Sequence, residues 1–289
     1  MQKYAYLIMA HNNFKVLEKL IKLIDYEKND IYIHVDKKTK DFDKDYFSTL
    51  PKKSNIYFAP RIEINWGGLS QIICELSLLE MACAKNYSYY HLLSGADLPL
   101  KSQEYIHEFF DKHQGKEFVG FIEDWDQSRI KYYHVFNEVG RNTDIPSRIK
   151  RKMNNLLVKS QKLLNVNLAS NRNFAKGANW FSITSNLAQY ILEKKHEILK
   201  QYRHAVFADE VFLQTLIINS EFKDHLYKDI YEDEYENNLR HIDWKRGGPY
   251  TFTKEDYHEL MNSNKLFARK FDENVDFDIV NTIYHTLKN

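Results

Sequence analysis

Cysteine is almost missing from this chain of 289 residues, which holds only Cys74 and Cys83. Both fall in one apolar-periodic stretch that reads as a helix. Along a helix they stand about 13 Å apart, beyond the roughly 7 Å that a disulfide spans, and a reducing compartment follows. Long apolar runs are missing too: none approaches the ~18 residues of a membrane-spanning helix. The first residues lack the basic flank, apolar core and cleavage site of a signal peptide, so the expected location is the cytoplasm. Charge of one sign is not in excess, with 41 Lys+Arg against 40 Asp+Glu. No net field therefore draws the molecule onto nucleic acid, which is not an expected partner. There is no Gly-Lys-Ser/Thr phosphate loop and no strand followed by Gly-x-Gly-x-x-Gly. His and Cys do not cluster at zinc spacing, and no Gly-x-Ser-x-Gly elbow occurs. A nucleotide, if bound, is held by other means. No internal repeat, low-complexity tract or long linker divides the chain, which reads as one domain.

What is present is a hydrophobic fraction of 43% and an aromatic fraction of 15%, including 20 Tyr and 18 Phe. That suffices for a large core and suggests a carbohydrate-facing surface. Residues 4–36 read strand, helix, strand: Tyr4 to Ala10, a helix with Val16, Leu17, Leu20, Ile21 and Ile24 on one face, then Ile31 to Asp36. This βαβ unit opens a parallel sheet, with Asn12 or Asn13 as a side-chain cap of the helix. Further strands are predicted at Asn55 to Ala59, Tyr89 to Leu93, Phe118 to Ile122, Asn179 to Ile183 and Leu239 to Trp244. A long helix follows Trp66-Gly67-Gly68. Ser94 to Leu100 reads as a loop, and residues 123–146 as irregular. A helix is predicted over 147–164, in which Arg148, Lys150, Arg151, Lys152, Lys159 and Lys162 face no acidic partner: either a solvated face or a glycan- or membrane-contacting one. Asp209 and Glu210 are placed in the first turn of a helix, Gly247-Gly248-Pro249 in a turn, and Thr253 to Asp256 in a capping box.

In an open α/β sheet, ligands bind beyond the carboxyl ends of the strands, here His11-Asn12, Asp36-Lys37, Ser94 to Asp97 and Glu123-Asp124. Asp36 is either a partner for a ribose or base or a carboxylate capping a turn. His11 is either a ligand contact or a structural histidine. Asp124-Trp125-Asp126 has the Asp-x-Asp spacing with which many sugar transferases hold a divalent ion.

Five segments occur in one order: Tyr4 to His11, Ile33-His34-Val35-Asp36, Leu93-Ser94-Gly95-Ala96-Asp97-Leu98-Pro99-Leu100-Lys101, Asp209-Glu210-Val211-Phe212-Leu213-Gln214-Thr215-Leu216, and Leu266-Phe267-Ala268-Arg269-Lys270-Phe271-Asp272. As a set this resembles the core-2/I-branching enzyme family, which includes peptide O-xylosyltransferases. The resemblance implies an α/β glycosyltransferase A fold, a three-layer α/β/α sandwich around a mostly parallel sheet. It implies one catalytic domain over 1–289, with residues 1–122 binding the nucleotide sugar and 123–289 binding the acceptor and carrying catalysis. It also implies transfer from a UDP-sugar (UDP-N-acetylglucosamine or UDP-xylose) to a glycan or glycolipid, with inversion and with neither metal nor other cofactor.

Residue by residue, Glu210 matches the family's general base, which takes the proton of the attacking hydroxyl. Without that context, Glu210 is a carboxylate at a helix N-terminus. Lys270 matches the phosphate-binding lysine, and the second cation is Arg246 or, alternatively, Arg240. Donor binding is assigned to His11, Asp36, Asp97, Arg246, Arg269 and Lys270, and acceptor binding to Glu123, Arg129, Trp180 and Asp209. Trp180 stacks on a pyranose or packs in the core, and Arg269 contacts phosphate or is merely solvated. Animal relatives carry a membrane anchor and disulfides. Their absence here points to a bacterial-style enzyme of surface polysaccharide or glycolipid synthesis, with at most peripheral contact to the inner membrane face through 147–164. Two rivals are a metal-dependent transferase using Asp124 and Asp126, and a non-catalytic glycan-binding module.

Overall fold

The structure is a computed structural model that describes residues 2–168, 173–230 and 234–288. β1 (Tyr4–Ala10), α1 (Phe14–Ile24) and β2 (Asn29–Val35) form the expected βαβ unit, and α2 (Lys44–Ser48), β3 (Asn55–Phe58), α3 (Leu69–Cys83) and β4 (Tyr89–Ser94) extend it. Then come β5 (Asp97–Pro99), α4 (Gln103–Lys112), β6 (Phe118–Val119), α5 (Ser128–Lys131) and α6 (Ile145–Leu163). β7 (Phe181–Thr184), α7 (Ser185–Glu193), α8 (Lys195–Tyr202), α9 (Phe212–Ile218), α10 (Glu234–Asn238), β8 (Arg240–Ile242), α11 (Tyr257–Asn262), β9 (Phe267–Arg269) and α12 (Phe277–Lys288) complete the order.

The main sheet runs β3-β2-β1-β4-β7-β6. Its first four strands are parallel, while β7 lies antiparallel to both neighbours. β1 and β2 are buried on both faces, which accounts for the apolar run of β1 and for Ile31-Tyr32-Ile33 in β2, where Asn29, Asp30 and His34 are buried polar members. Alternate β1 side chains feed two cores. Tyr4, Tyr6 and Ile8 pack with Leu17, Ile21, Phe110 and Ile279, while Ala5 and Leu7 pack with Ile72, Leu76, Leu79, Leu187 and Leu213. Helices thus cover both sheet faces, giving the three-layer α/β arrangement expected. Cys74 and Cys83 are free thiols in α3. Among the described residues no helix is long and apolar enough to cross a membrane.

Several expectations are corrected. The Ser94 to Leu100 segment is not all loop: β5 pairs antiparallel with β9, which pairs parallel with β8, making a second sheet. Strands of three residues are too short to show a period. β6 keeps only Phe118 and Val119 in the ladder, beyond which Ile122 makes a lone bridge to Lys176. β7 starts at Phe181 because the Gln214 amide binds the carbonyls of Gly120 and Ala178, holding the preceding residues off the sheet. Asn13 is the cap of α1 but with left-handed backbone and no side-chain cap, its carbonyl accepting from Leu17. The supposedly irregular 123–146 stretch holds α5 and a 3-10 turn at Asn137–Val139. Glu138 in that turn accepts from Ser70 N and Oγ and so satisfies free donors at the start of α3. The Thr253–Asp256 capping box forms as expected.

Candidate functional site

The parallel strands β1, β2 and β4 end on one edge, where the chain turns at His11, Asp36 and Ser94. Asp36 is buried, and its Oδ1 accepts from Lys38 N at 2.9 Å while Oδ2 lies 3.6 Å from Lys38 Nζ. His11 is open to solvent, yet protein crowding its ring lowers its pKa. Asp36 opposes that shift, and Arg269 and Lys38 add to it. Asp36 and Arg269 thus lie near enough to His11 for their charges to act on its ring.

Asp97 does not face outward as a donor ligand should. It is buried and closes the β4–β5 turn, accepting from Ser94 N at 2.8 Å and Ser94 Oγ at 2.6 Å. Arg269 Nη1 also donates to Asp97 at 2.8 Å and to Ser94 Oγ. The carboxylate therefore orients Arg269, whose guanidinium lies 4.5 Å from the centroid of the Trp180 ring. Trp180 has this cation over its ring and is packed, partly buried, against the core.

Lys270 follows, half-buried, with its main chain bonded to Tyr250 and Phe252. No ion pair neutralises its ammonium among the described residues. Arg240 and Arg246 differ in burial. Arg240 is 1% exposed, between the two sheets, and donates to the carbonyls of Phe181 at 2.7 Å, Leu92 at 3.4 Å and Asn238 at 2.5 Å. Burial lowers its pKa to about 10. Arg246 is on the surface, stacked 4.2 Å over Tyr250, whose main chain bonds that of Lys270, but it is not a free cation. Asp243, Asp256 and Glu259 all accept from it.

Glu210 is not in the first turn of a helix. Ala208–Glu210 is a 3-10 turn, separated from α9 by Val211 at φ −128°. The Glu210 carbonyl accepts from Gly177 N at 2.9 Å instead of entering a helical ladder. Gly177 has to be glycine, because a Cβ there would run into the Gly120 carbonyl. Arg129 Nη1 donates to Glu210 Oε2 at 2.8 Å, and Lys176 Nζ stands 3.3 Å from the same oxygen. Oε1 has no partner among the described residues, and the side chain is 34% exposed. Arg129 also stacks 4.8 Å from the centroid of Phe207, which packs edge-on against the exposed Trp66.

Asp209 points the other way. It is buried, accepts from Gln71 Nε2 at 2.8 Å, and cannot present its carboxylate to an acceptor. Burial, reinforced by the charge of Glu210, raises its pKa to about 7. Below it Glu75 of α3 is completely buried, and burial together with Asp209 raises its pKa well above the carboxylate range. Glu123 and Asp124 are exposed. Asp126 uses both oxygens on Ser128, which lowers its pKa and opens α5. Lys176 and Glu75 escape sequence reasoning. The only signal for Lys176 is its place before the Gly177 to Trp180 segment, and for Glu75 an acidic residue on the otherwise apolar face of α3.

The Gly177 to Trp180 segment links both groups: Gly177 fastens Glu210, and Trp180 lies against Arg269. The result is an edge with one half-exposed carboxylate and several cations.

A sequence profile described as Core-2/I-Branching enzyme matches residues 4–264. Among curated proteins, the chain is 23% identical over 308 residues to "Xylosyltransferase" of Ciona intestinalis, covering 96% of this chain and 33% of that protein. It is 22% identical over 306 residues to "Xylosyltransferase 2" of Canis lupus familiaris, with the same coverages of 96% and 33%. The chain thus spans about a third of the length of these relatives. The solved apo form of mouse xyloside xylosyltransferase 1 superposes with a TM-score of 0.40 at 9% identity, over 93% of this chain and 97% of that one.

Proposed function

Because the chain belongs to the Core-2/I-branching enzyme family, we propose that it is an inverting glycosyltransferase that moves N-acetylglucosamine or xylose from a UDP-sugar to a glycan hydroxyl without a metal ion. The observation that carries this reading is the clamp on Glu210: two cations hold Oε2, and Oε1 has no partner among the described residues. An oxygen so presented accepts the proton of an acceptor hydroxyl as that hydroxyl oxygen attacks the anomeric carbon. The bond from that carbon to the diphosphate breaks on the opposite side, UDP leaves with the electron pair, and the configuration inverts. The proton on Glu210 then passes to water.

Charge growing on the departing diphosphate needs fixed cations or an ion. Lys270, without a carboxylate partner among the described residues, supplies one, and Arg246, stacked on Tyr250, a second of lower effective charge. Asp126 uses both oxygens on Ser128, which leaves the Asp124/Asp126 pair of the metal-dependent rival one carboxylate short of a divalent-ion clamp. The purified chain, given UDP-N-acetylglucosamine or UDP-xylose and a panel of glycans, is expected to release UDP equally with and without chelator and to form a product of inverted anomeric configuration by NMR. Loss of turnover on chelation overturns metal independence. Glycan binding without turnover of any nucleotide sugar overturns the enzymatic reading.

A further inference from the structure

We propose that α6 docks the protein in the plane of an anionic lipid surface, a property that goes beyond the transfer reaction and does not rest on it. An ordinary surface helix turns its apolar stripe to the core and its charges to water. α6 does the reverse. Its buried residues are Ser147 and Asn154. Its inner side is fastened by polar bonds: Asn154 exchanges two with the main chain of Phe136, Gln161 two with that of Tyr133, and Arg151 donates to the Gly140 carbonyl. Facing outward are Ile145, Ile149, Met153 and Leu156, exposed by 72%, 52%, 47% and 69%, and the stripe continues into Leu163 and Leu164. Their spacing, four, four and three residues, places them in one line along the helix.

Charge says what fits this stripe. Residues 145–164 contain no Asp or Glu. With about 100° between successive residues, Arg148, Lys152 and Lys159 border the stripe on one side and Lys150 borders it on the other. An apolar line between basic margins matches the boundary of an anionic bilayer, where the apolar residues enter the acyl edge and the cations meet headgroup phosphates. A second copy of this chain would set like charges against like charges. The segment that holds α6, Tyr133 to Gly140, follows directly on α5, which carries Arg129, the partner of Glu210. Docking therefore anchors the loop on the acceptor side of the candidate site.

The test is flotation of the full chain with phosphatidylcholine vesicles, with and without phosphatidylglycerol. Binding is expected only when phosphatidylglycerol is present, and it should weaken as salt rises. The variant Ile149→Ser/Leu156→Ser should lose binding about tenfold or more, since apolar insertion supplies part of the affinity. Lys150→Gln, Lys152→Gln and Lys159→Gln should each lose about fivefold. All are exposed substitutions, so unchanged thermal melting confirms folding, and donor turnover in solution should stay as before. Equal binding to neutral vesicles, no vesicle binding, full retention by the stripe variant, or a dimer that the stripe variant abolishes without any vesicle binding would each overturn the proposal. So would binding to an oligonucleotide in preference to vesicles. None of these outcomes bears on UDP-sugar turnover, so failure here and failure of the catalytic reading are separable.

Discussion

Arg129 and Glu210 meet at 2.8 Å across 81 residues of sequence, and their contact engages only one of the two carboxylate oxygens. Lys176 joins on the same oxygen. The pair is therefore an orienting contact that leaves Oε1 without a partner among the described residues.

Replacing that oxygen removes the base with little change of shape. Glu210→Gln should lower kcat by at least ~100-fold while UDP affinity stays within about twofold, as loss of a general base requires. Arg129→Ala should cost less, about tenfold in kcat, because Lys176 still holds the carboxylate. Steady-state kinetics with calorimetry of UDP distinguishes them, and near-normal turnover of Glu210→Gln would discard its role.

Lys270 and Arg240 separate charge that serves a ligand from charge that serves the fold. Lys270→Ala should weaken UDP binding about tenfold or more with an unchanged melting temperature, the loss expected for a charge-assisted contact. Arg240→Met should instead destabilise the protein by roughly 3 kcal/mol, since buried carbonyls lose their donor. Its folded fraction should bind UDP normally. Calorimetry that found the two effects exchanged would move the diphosphate site between the two sheets.

Asp209 ties stability to pH. Its folded-state pKa of about 7 lies above that of an unfolded aspartate, so the native state holds the proton more tightly. Its contribution is thus fully present below about pH 4 and lost as pH rises to about 7. Asp209→Asn cannot ionise. Its melting temperature should fall less than that of the parent between pH 5 and pH 8, and parallel melting profiles would show that Asp209 is ionised in the folded protein throughout.

Among the corrected expectations, a common cause is visible. The βαβ opening was legible because Tyr4 to Ala10 and Ile31 to Val35 are buried on both faces, and burial of that kind writes itself into local composition. β5 and β9 were not legible, since three residues show no period and their pairing joins positions 172 residues apart at Asp97 and Arg269. The helical phase around Glu210 was misjudged because Gly177, distant in sequence, takes its carbonyl. α6 was recognised as a basic helix, but which of its faces points outward depends on Asn154 and Gln161 meeting the main chain of Tyr133 and Phe136.

By itself, the sequence determined the α/β class, the strand edge carrying His11, Asp36 and Ser94, and the segments that place the chain in its family, because each is written in runs of neighbouring residues. Only the tertiary structure decided which charges are spent and which are available. Asp97, Asp209 and Arg240 are of the same chemical kinds as Glu210 and Lys270. They differ in the partners and burial that folding brings to them, and a carboxylate or guanidinium shut inside the fold has little to offer a ligand outside it.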